Sequence, residues 1–515
     1  MSIRGADGKR IAWMDTRRES GFSNFLFIDQ NYASHPVLRR IFSLARKHGF
    51  QSILIEDIDP AGCATVAEEN AALALRQPDF TGSRVHRITF FRCLPDQNPT
   101  AQDFIGGAIF KSDSFSGLAQ PSSHVYEAVL PPPRNAAGNN FIHCQRGYDF
   151  HTGVGDFSAK GVLYAQQNDL TFVCAHVALR TALAALLPEG DISYTKINQL
   201  AGIDHTSVQV GNGGRGLGPD QMEAVLKGVG VEYEKTVHEP QQQLILPTDY
   251  QRHLYGCVES GAPALLGFEL DDPTAQPGQA SRHVIPVLGH TFNEDAWVPE
   301  AQRSYFGGTL SYYPSENWLS AFVAHDDNFG PYFCLPRNFL RKENFRIILG
   351  LKRFPTLFTP LEAETLAFGY AQILSNAFQK TGIDWLDRFC VFARLGSLVI
   401  RVQTMTRPDY VSHLDALEDW SGLKLDTDSK AEFEKSLPES FWMAELSAPE
   451  LFSATRHKFG EFLIAADRPF SNDLLSLLLA ARLPGCAVFR DGGGQLKPQP
   501  IKVTGHTQLF TRPTP

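Results

Sequence analysis

Cys174 stands at the head of a strongly apolar helical pattern and shortly after a cluster of amide side chains, Gln166, Gln167 and Asn168. A cysteine and an amide so placed can supply a thiol nucleophile and an oxyanion donor. Along the helix that follows, Ala178, Thr181, Ala182 and Ala185 share the face of the cysteine, small residues that let a second element approach closely. The unpaired N–H groups and dipole of a helix N-terminus favour an anion, so a thiol there ionises more readily than at its ordinary pKa of about 8.5. A cysteine alone is more often a core residue, and its partners must decide.

A thiol nucleophile needs a base, sought on a distant element. The segment Ala280 to Gly289 reads as a buried strand with His283 at its start. The segment from Trp318 reads as a second strand that ends in Asp326 and Asp327, followed by Asn328, Phe329 and a glycine turn at Gly330. If the two strands pair, an aspartate can orient His283 and stabilise its imidazolium while His283 deprotonates Cys174. Asp326 shares a strand face with Phe322 and Ala324, and Asp327 lies with Val323 and His325, so either acid can fill the role.

The order Cys, His, Asp, the amide cluster before the cysteine and the strand His283-Val-Ile-Pro-Val-Leu-Gly289 resemble papain-fold cysteine peptidases. Within that group the likeness is nearest to the peptidases that process double-glycine bacteriocin leaders. The glycine-led segment Gly216 to Gly230 is similar to a helix those domains carry between nucleophile and histidine. The resemblance implies Cys174 as nucleophile, His283 as base, Asp326 as orienting acid with Asp327 as the alternative, and Gln167 as oxyanion donor. The interval from Gln167 to Cys174 is one residue longer than the family pattern, which keeps Gln166 and Asn168 open as donors, and Ala175 stands where a glycine is common. The fold it implies is α+β, a helical lobe and an antiparallel sheet forming a papain-like core.

Two competing chemistries are weaker. His176, His283, His290 and His325 lie near these elements, but zinc spacings such as C-x-x-C or H-E-x-x-H are absent. Cys174 and His176 would lie about 200° apart on a helix, poorly placed to grip one ion. No metal is expected. The run Gly211 to Gly216 formally matches a dinucleotide fingerprint, yet Pro219 reads as the first helical residue after Gly218, so the loop ends before the helix that the fingerprint needs. Met222, Val225, Leu226 and Val229 form a core stripe instead, with Gly230 as its stop. No cofactor is expected.

With 515 residues, 43% apolar and 20% charged, the chain has material for two or three globular cores. A net charge of −9 without a basic run argues against a nucleic-acid partner. Eight cysteines without disulfide-type spacing fit a reducing, cytoplasmic setting. Residues 1–15 lack a signal-peptide core and no apolar run is long enough to span a bilayer, so neither export nor membrane insertion is expected.

Three parts are expected. Residues 1–148 form an α/β domain, opening with a strand at Phe25 to Asp29, a helix through Val37, Leu38 and Ile41, and a strand at Ser52 to Glu56. Residues 149–342 hold the peptidase-like domain. Residues 343–515 form an α+β domain with a long helix from Pro360, a strand at Leu398 to Val402 and a hairpin from Phe441 to Ile464. The flanking parts could wall the cleft between the lobes. The expected activity is that of a cytoplasmic cysteine peptidase or isopeptidase acting on a protein or peptide. Acyl transfer on the same fold, as in phytochelatin-synthase-like or transglutaminase-like relatives, and an inactive papain-fold scaffold are the alternatives.

Overall fold

Alternation of apolar and polar residues makes strand the main element of the N-terminal part. In the computed structural model, described for residues 3–16, 23–133, 140–168, 173–203, 217–237, 250–270, 281–295, 298, 301–306, 310–341, 344–378, 380–469, 474–490 and 494–512, this part holds β1 (Gly8–Asp15), β2 (Ser52–Ile58), β3 (Phe80–Phe91), β4 (Phe104–Phe115) and β5 (Ser122–Val129). They form one antiparallel sheet in sequence order. Helices α1 (Ser23–Asn31) and α2 (Pro36–Lys47) bury Ile28, Val37, Leu38 and Ile41 against Ile53, Ile55, Ile88 and Phe90. Helix α3 (Ala64–Arg76) joins another cluster through Val66, with Ile58, Val85 and Ile109. The segment Phe25 to Asp29, expected as a strand, lies inside α1. A short apolar run suits either element, and here no strand–helix–strand unit forms, because every neighbouring pair in the sheet is antiparallel.

The central part runs β6 (Asn140–Phe141), the hairpin β7 (Arg146–Thr152) and β8 (Gly155–Gly161), α4 (Cys174–Ala184), α5 (Tyr194–Ala201), α6 (Pro219–Gly228), β9 (Tyr233–Val237), α7 (Tyr250–Glu259), β10 (Ala264–Leu270) and β11 (Ser281–Phe292). It continues through β12 (Ser304–Phe306), β13 (Leu310–Pro314), β14 (Leu319–Asp326), β15 (Gly330–Pro336) and β16 (Phe345–Leu351). A seven-stranded sheet has the order β15-β14-β11-β10-β16-β9, with β6 also paired to β11, and every pairing is antiparallel. Its strands alternate cleanly. Leu265, Ile347 and Leu349 turn to Ala175, Ala178, Leu179 and Ala182 of α4, while Leu266, Ile348, Ile285 and Val287 turn to Leu254 and Val258 of α7. The sheet thus takes in β6 and β16, one on each side of the 149–342 span. Gly218 and Pro219 begin α6 as expected, and Gly230 follows its end at φ +72, a conformation glycine tolerates.

The last part contains α8 (Pro360–Ala377), α9 (Asp384–Arg394), β17 (Val399–Thr406), α10 (Arg407–Ala416), α11 (Thr427–Ser436), β18 (Ser440–Ser447), α12 (Pro449–Ser453), β19 (His457–Lys458), β20 (Gly460–Ala465), β21 (Leu478–Leu483), β22 (Cys486–Arg490) and β23 (Leu496–Pro500). The expected long helix is α8, capped reciprocally by Thr359 and Glu362. The strands at 441–446 and 459–464 pair as β18 and β20. An eight-stranded sheet runs β12-β13-β17-β18-β20-β21-β22-β23, with β13 parallel to β17, so the central and C-terminal parts share chain. A buried row of alternating charges also crosses between them. Glu259 of α7 pairs with His290 (2.6 Å) and Arg401, Arg401 with Glu445 (2.6 Å), Glu445 with Lys458 (2.6 Å), and Glu461 with both Lys458 (3.1 Å) and Arg482. The whole is α+β with several antiparallel sheets. No helix among the described residues is long and apolar enough to cross a membrane.

Candidate functional site

Cys174 is the first residue of α4 and is half-buried. The residue before it, Val173, has no side-chain acceptor to cap the helix, so the first-turn N–H groups keep their positive end toward the thiol. His176 braces this end. Its Nδ1 accepts from the Val173 amide (3.4 Å) and its Nε2 donates to Asn198 Oδ1 on α5 (2.8 Å), a structural rather than chemical use of the ring. Deeper in α4, Arg180 binds Glu127 (2.7 Å) and Asp191 (2.8 Å) and donates to the Tyr126 carbonyl (3.2 Å), which mounts the helix on β5. The small residues expected on the cysteine's face serve as anticipated. Ala178 and Thr181 line a narrow crevice beside Cys174, together with Val284 and Pro286 of β11 and Asp327.

His283, near the start of β11, is buried and meets the ring of Phe268, its cross-strand neighbour on β10, edge-on at 5.6 Å. The expected pairing of the two strands is present, β11 with β14. It brings both carboxylates to one nitrogen: His283 Nε2 lies 3.4 Å from Asp326 Oδ2 and 3.3 Å from Asp327 Oδ1, aligned for a hydrogen bond with neither. Cys174 lies close enough to the same imidazole to act on its charge. Burial works to lower the pKa of His283, but Asp326, the Cys174 contact and Asp327 outweigh it and raise it to about 10. Burial of Asp326 works the other way and is overcome by His283 and by the amides of Asn328 and Phe329, leaving its carboxyl below the usual range.

The turn that follows β14 binds the first of the two aspartates through its amides. Asp326 ends β14 and its Oδ1 accepts from the amides of Asn328 (2.8 Å) and Phe329 (3.1 Å), a turn closed by Gly330 at φ +100. That leaves Oδ2 aimed at His283. Asp327 accepts a long contact from the Asn328 amide side chain (3.5 Å). The hydroxyl of Tyr164 donates to the carbonyls of both residues (3.3 and 3.4 Å). His325, just before them, accepts from the Tyr332 amide (3.0 Å) and donates to the Val162 carbonyl (3.3 Å), and burial drops its pKa to about 3, so it is a neutral packing residue.

Of the amide cluster, Gln166 and Asn168 are engaged elsewhere. The Gln166 side chain accepts from the Val125 amide of β5 (3.0 Å), and Asn168 Nδ2 donates to Glu69 Oε1 of α3 (2.9 Å). Gln167 is half-buried between them, with no side-chain hydrogen bond among the described residues. Residues 169–172, between the cluster and Val173, lie outside the described residues, as does the glycine run at 211–216. The supports that sequence reasoning missed are Glu69, Arg180 and Glu127, which tie the segment before Cys174 and its helix to the N-terminal part. One signal was present: Glu69 interrupts the buried stripe Val66, Glu69, Leu73 of α3, where a carboxylate requires a partner. Glu69 also meets the buried Lys111 ammonium (3.2 Å), and its burial, only partly offset by that ammonium, lifts its pKa to about 7.

The arrangement offers a thiol at a helix N-terminus, an imidazole against it and two carboxylates behind the imidazole. In comparisons with known proteins, no family model matches the chain, and neither curated proteins nor solved structures give a match.

Proposed function

We propose that the protein is a thiol hydrolase on a papain-like core, cleaving a peptide or isopeptide bond with Cys174 as nucleophile, His283 as acid–base and Asp326 as the orienting acid. The observation that carries this reading is a buried His283 whose Nε2 faces the Asp326 and Asp327 carboxylates, with Asp327 lining the same crevice as Cys174. A cationic imidazole and a helix N-terminus together make the setting in which a thiolate forms. With Nε2 turned to the carboxylates, Nδ1 is the atom left for the sulfur.

In the first half-reaction the thiolate forms a bond to the carbonyl carbon and negative charge moves to the oxygen. Gln167, whose side chain has no hydrogen bond among the described residues, and the Cys174 backbone N–H receive that charge. The imidazolium then gives its proton to the departing amine as the C–N bond breaks, leaving a thioester. In the second, His283 takes a proton from water, which attacks the thioester and releases a carboxylic acid and the thiol.

Iodoacetamide alkylation tests the reading. Cys174 should react faster than the other cysteines, and His283→Ala should abolish the excess rate while circular dichroism stays native. A Cys174 that reacts no faster than Cys334, the exposed cysteine, would defeat it.

A further inference from the structure

The contact of His283 with its two aspartates is poorly aligned and long for a charge-assisted hydrogen bond, and its length suits something else. Nε2 is 3.4 Å from Asp326 Oδ2 and 3.3 Å from Asp327 Oδ1, without an aligned partner, although the side chain is 91% buried. A charge-assisted N–H···O bond is about 2.7–2.9 Å long. In a tetrahedral zinc site with bonds of about 2.0–2.2 Å, neighbouring ligand atoms stand about 3.3 Å apart. We propose that His283 Nε2, Asp326 Oδ2 and Asp327 Oδ1 form a zinc(II) site, and that a bound ion silences the thiol by taking its base.

One imidazole and two carboxylates suit zinc, whereas magnesium and calcium call for a full set of oxygens. The three ligand atoms lie within 4.8 Å of one another, which leaves a fourth position for water. The other buried histidine–carboxylate group, Glu69, Asp113 and His124, differs in kind. There the Lys111 ammonium already lies 2.7 Å from Asp113 and 3.2 Å from Glu69, where a metal would have to sit. Zinc displaces the Nε2 proton, which passes to solvent, and a metallated imidazole with its proton on Nδ1 cannot accept one from Cys174. The silencing rests on the thiol reading above, and the ligand set does not.

The test uses full-length protein freed of metal by chelation, titrated with Zn²⁺ and with Co²⁺. One ion should bind, with the absorption of four-coordinate cobalt and no thiolate charge-transfer band. Cys174→Ala should bind it as tightly as the wild type. Asp327→Asn and His283→Gln should weaken binding more than about tenfold, since even outer partners of metal ligands matter that much. One equivalent of Zn²⁺ should slow alkylation of Cys174 more than about tenfold, and a chelator should restore it. If Asp327→Asn fails to fold, His283→Gln and the cobalt spectrum of the wild type still decide. Loss of binding in Cys174→Ala, unchanged binding in both ligand variants, or undiminished alkylation under saturating Zn²⁺ would overturn the proposal. Slow alkylation of metal-free wild type, with Zn²⁺ still held by Cys174→Ala, would defeat the thiol reading and the silencing but leave the ion site standing.

Discussion

Asn168 donates from Nδ2 to Glu69 Oε1 at 2.9 Å, so the chain approaching Cys174 is tied to α3. Cutting this tie should loosen the neighbouring Gln167 without touching the thiol. Asn168→Ala is expected to lower kcat/KM about tenfold, with iodoacetamide reactivity of Cys174 unchanged. Because Glu69 loses a donor, stability should also fall by about 1–3 kcal/mol, read from urea denaturation.

Gln167→Ala should remove the side-chain oxyanion donor. The expected loss is about 10²-fold in kcat with KM little changed, because the interaction strengthens only as charge develops on the oxygen. Gln166→Ala should instead act on stability, since its side chain serves the Val125 amide. Equal kinetic effects of the two changes would mean that Gln167 is not the donor.

Asp326 and Asp327 approach His283 about equally closely, and the amides of Asn328 and Phe329 hold Asp326. With metal removed, Asp326→Asn should slow alkylation of Cys174 at least about tenfold and Asp327→Asn distinctly less. The reverse order would transfer the orienting role to Asp327.

The shifted groups set a pH window for stability. His283 is raised from 6.5 to about 10, so its pairing contributes fully below about pH 6.5 and is lost as pH rises toward 10. Asp326 is lowered from 3.8, so its share is present above that value and lost as pH falls below it. The Tm difference between wild type and His283→Gln should therefore be largest near pH 5–6 and shrink toward pH 10. A difference that grows with pH would contradict the assigned charge state.

In the buried charge row, Arg401 holds both Glu259 and Glu445. Arg401→Met should cost about 3–5 kcal/mol by leaving two buried carboxylates short of a cation. Adding Glu259→Gln should recover part of the loss, measurable by chemical denaturation.

How far the sequence could be read depended on range. Cys174, His283 and the aspartate pair sit on strongly patterned elements, so their order and the pairing of two strands were legible. The choice between Asp326 and Asp327 was not, because it turns on amides of the turn that follows rather than on strand parity. Residues 25–29 were misread because a short apolar run suits helix and strand alike. The supports from Glu69 on α3 and from Val125 and Glu127 on β5 escaped notice because no local pattern reports how those elements pack against α4. The same holds for β13, whose parallel partner β17 lies beyond β14, β15, β16, α8 and α9.

That parallel pairing bears on the order of synthesis. Cys174, His283 and both aspartates leave the ribosome before Val399 is made, yet Tyr313 and Pro314, which lead into the strand that delivers the aspartates, pair with Val399 and Ile400. A nascent chain therefore carries Cys174, His283 and both aspartates while the strand partner of Tyr313 and Pro314 is still missing. The lead-in to β14 gains its strand partner only after β17 of the C-terminal part has been made.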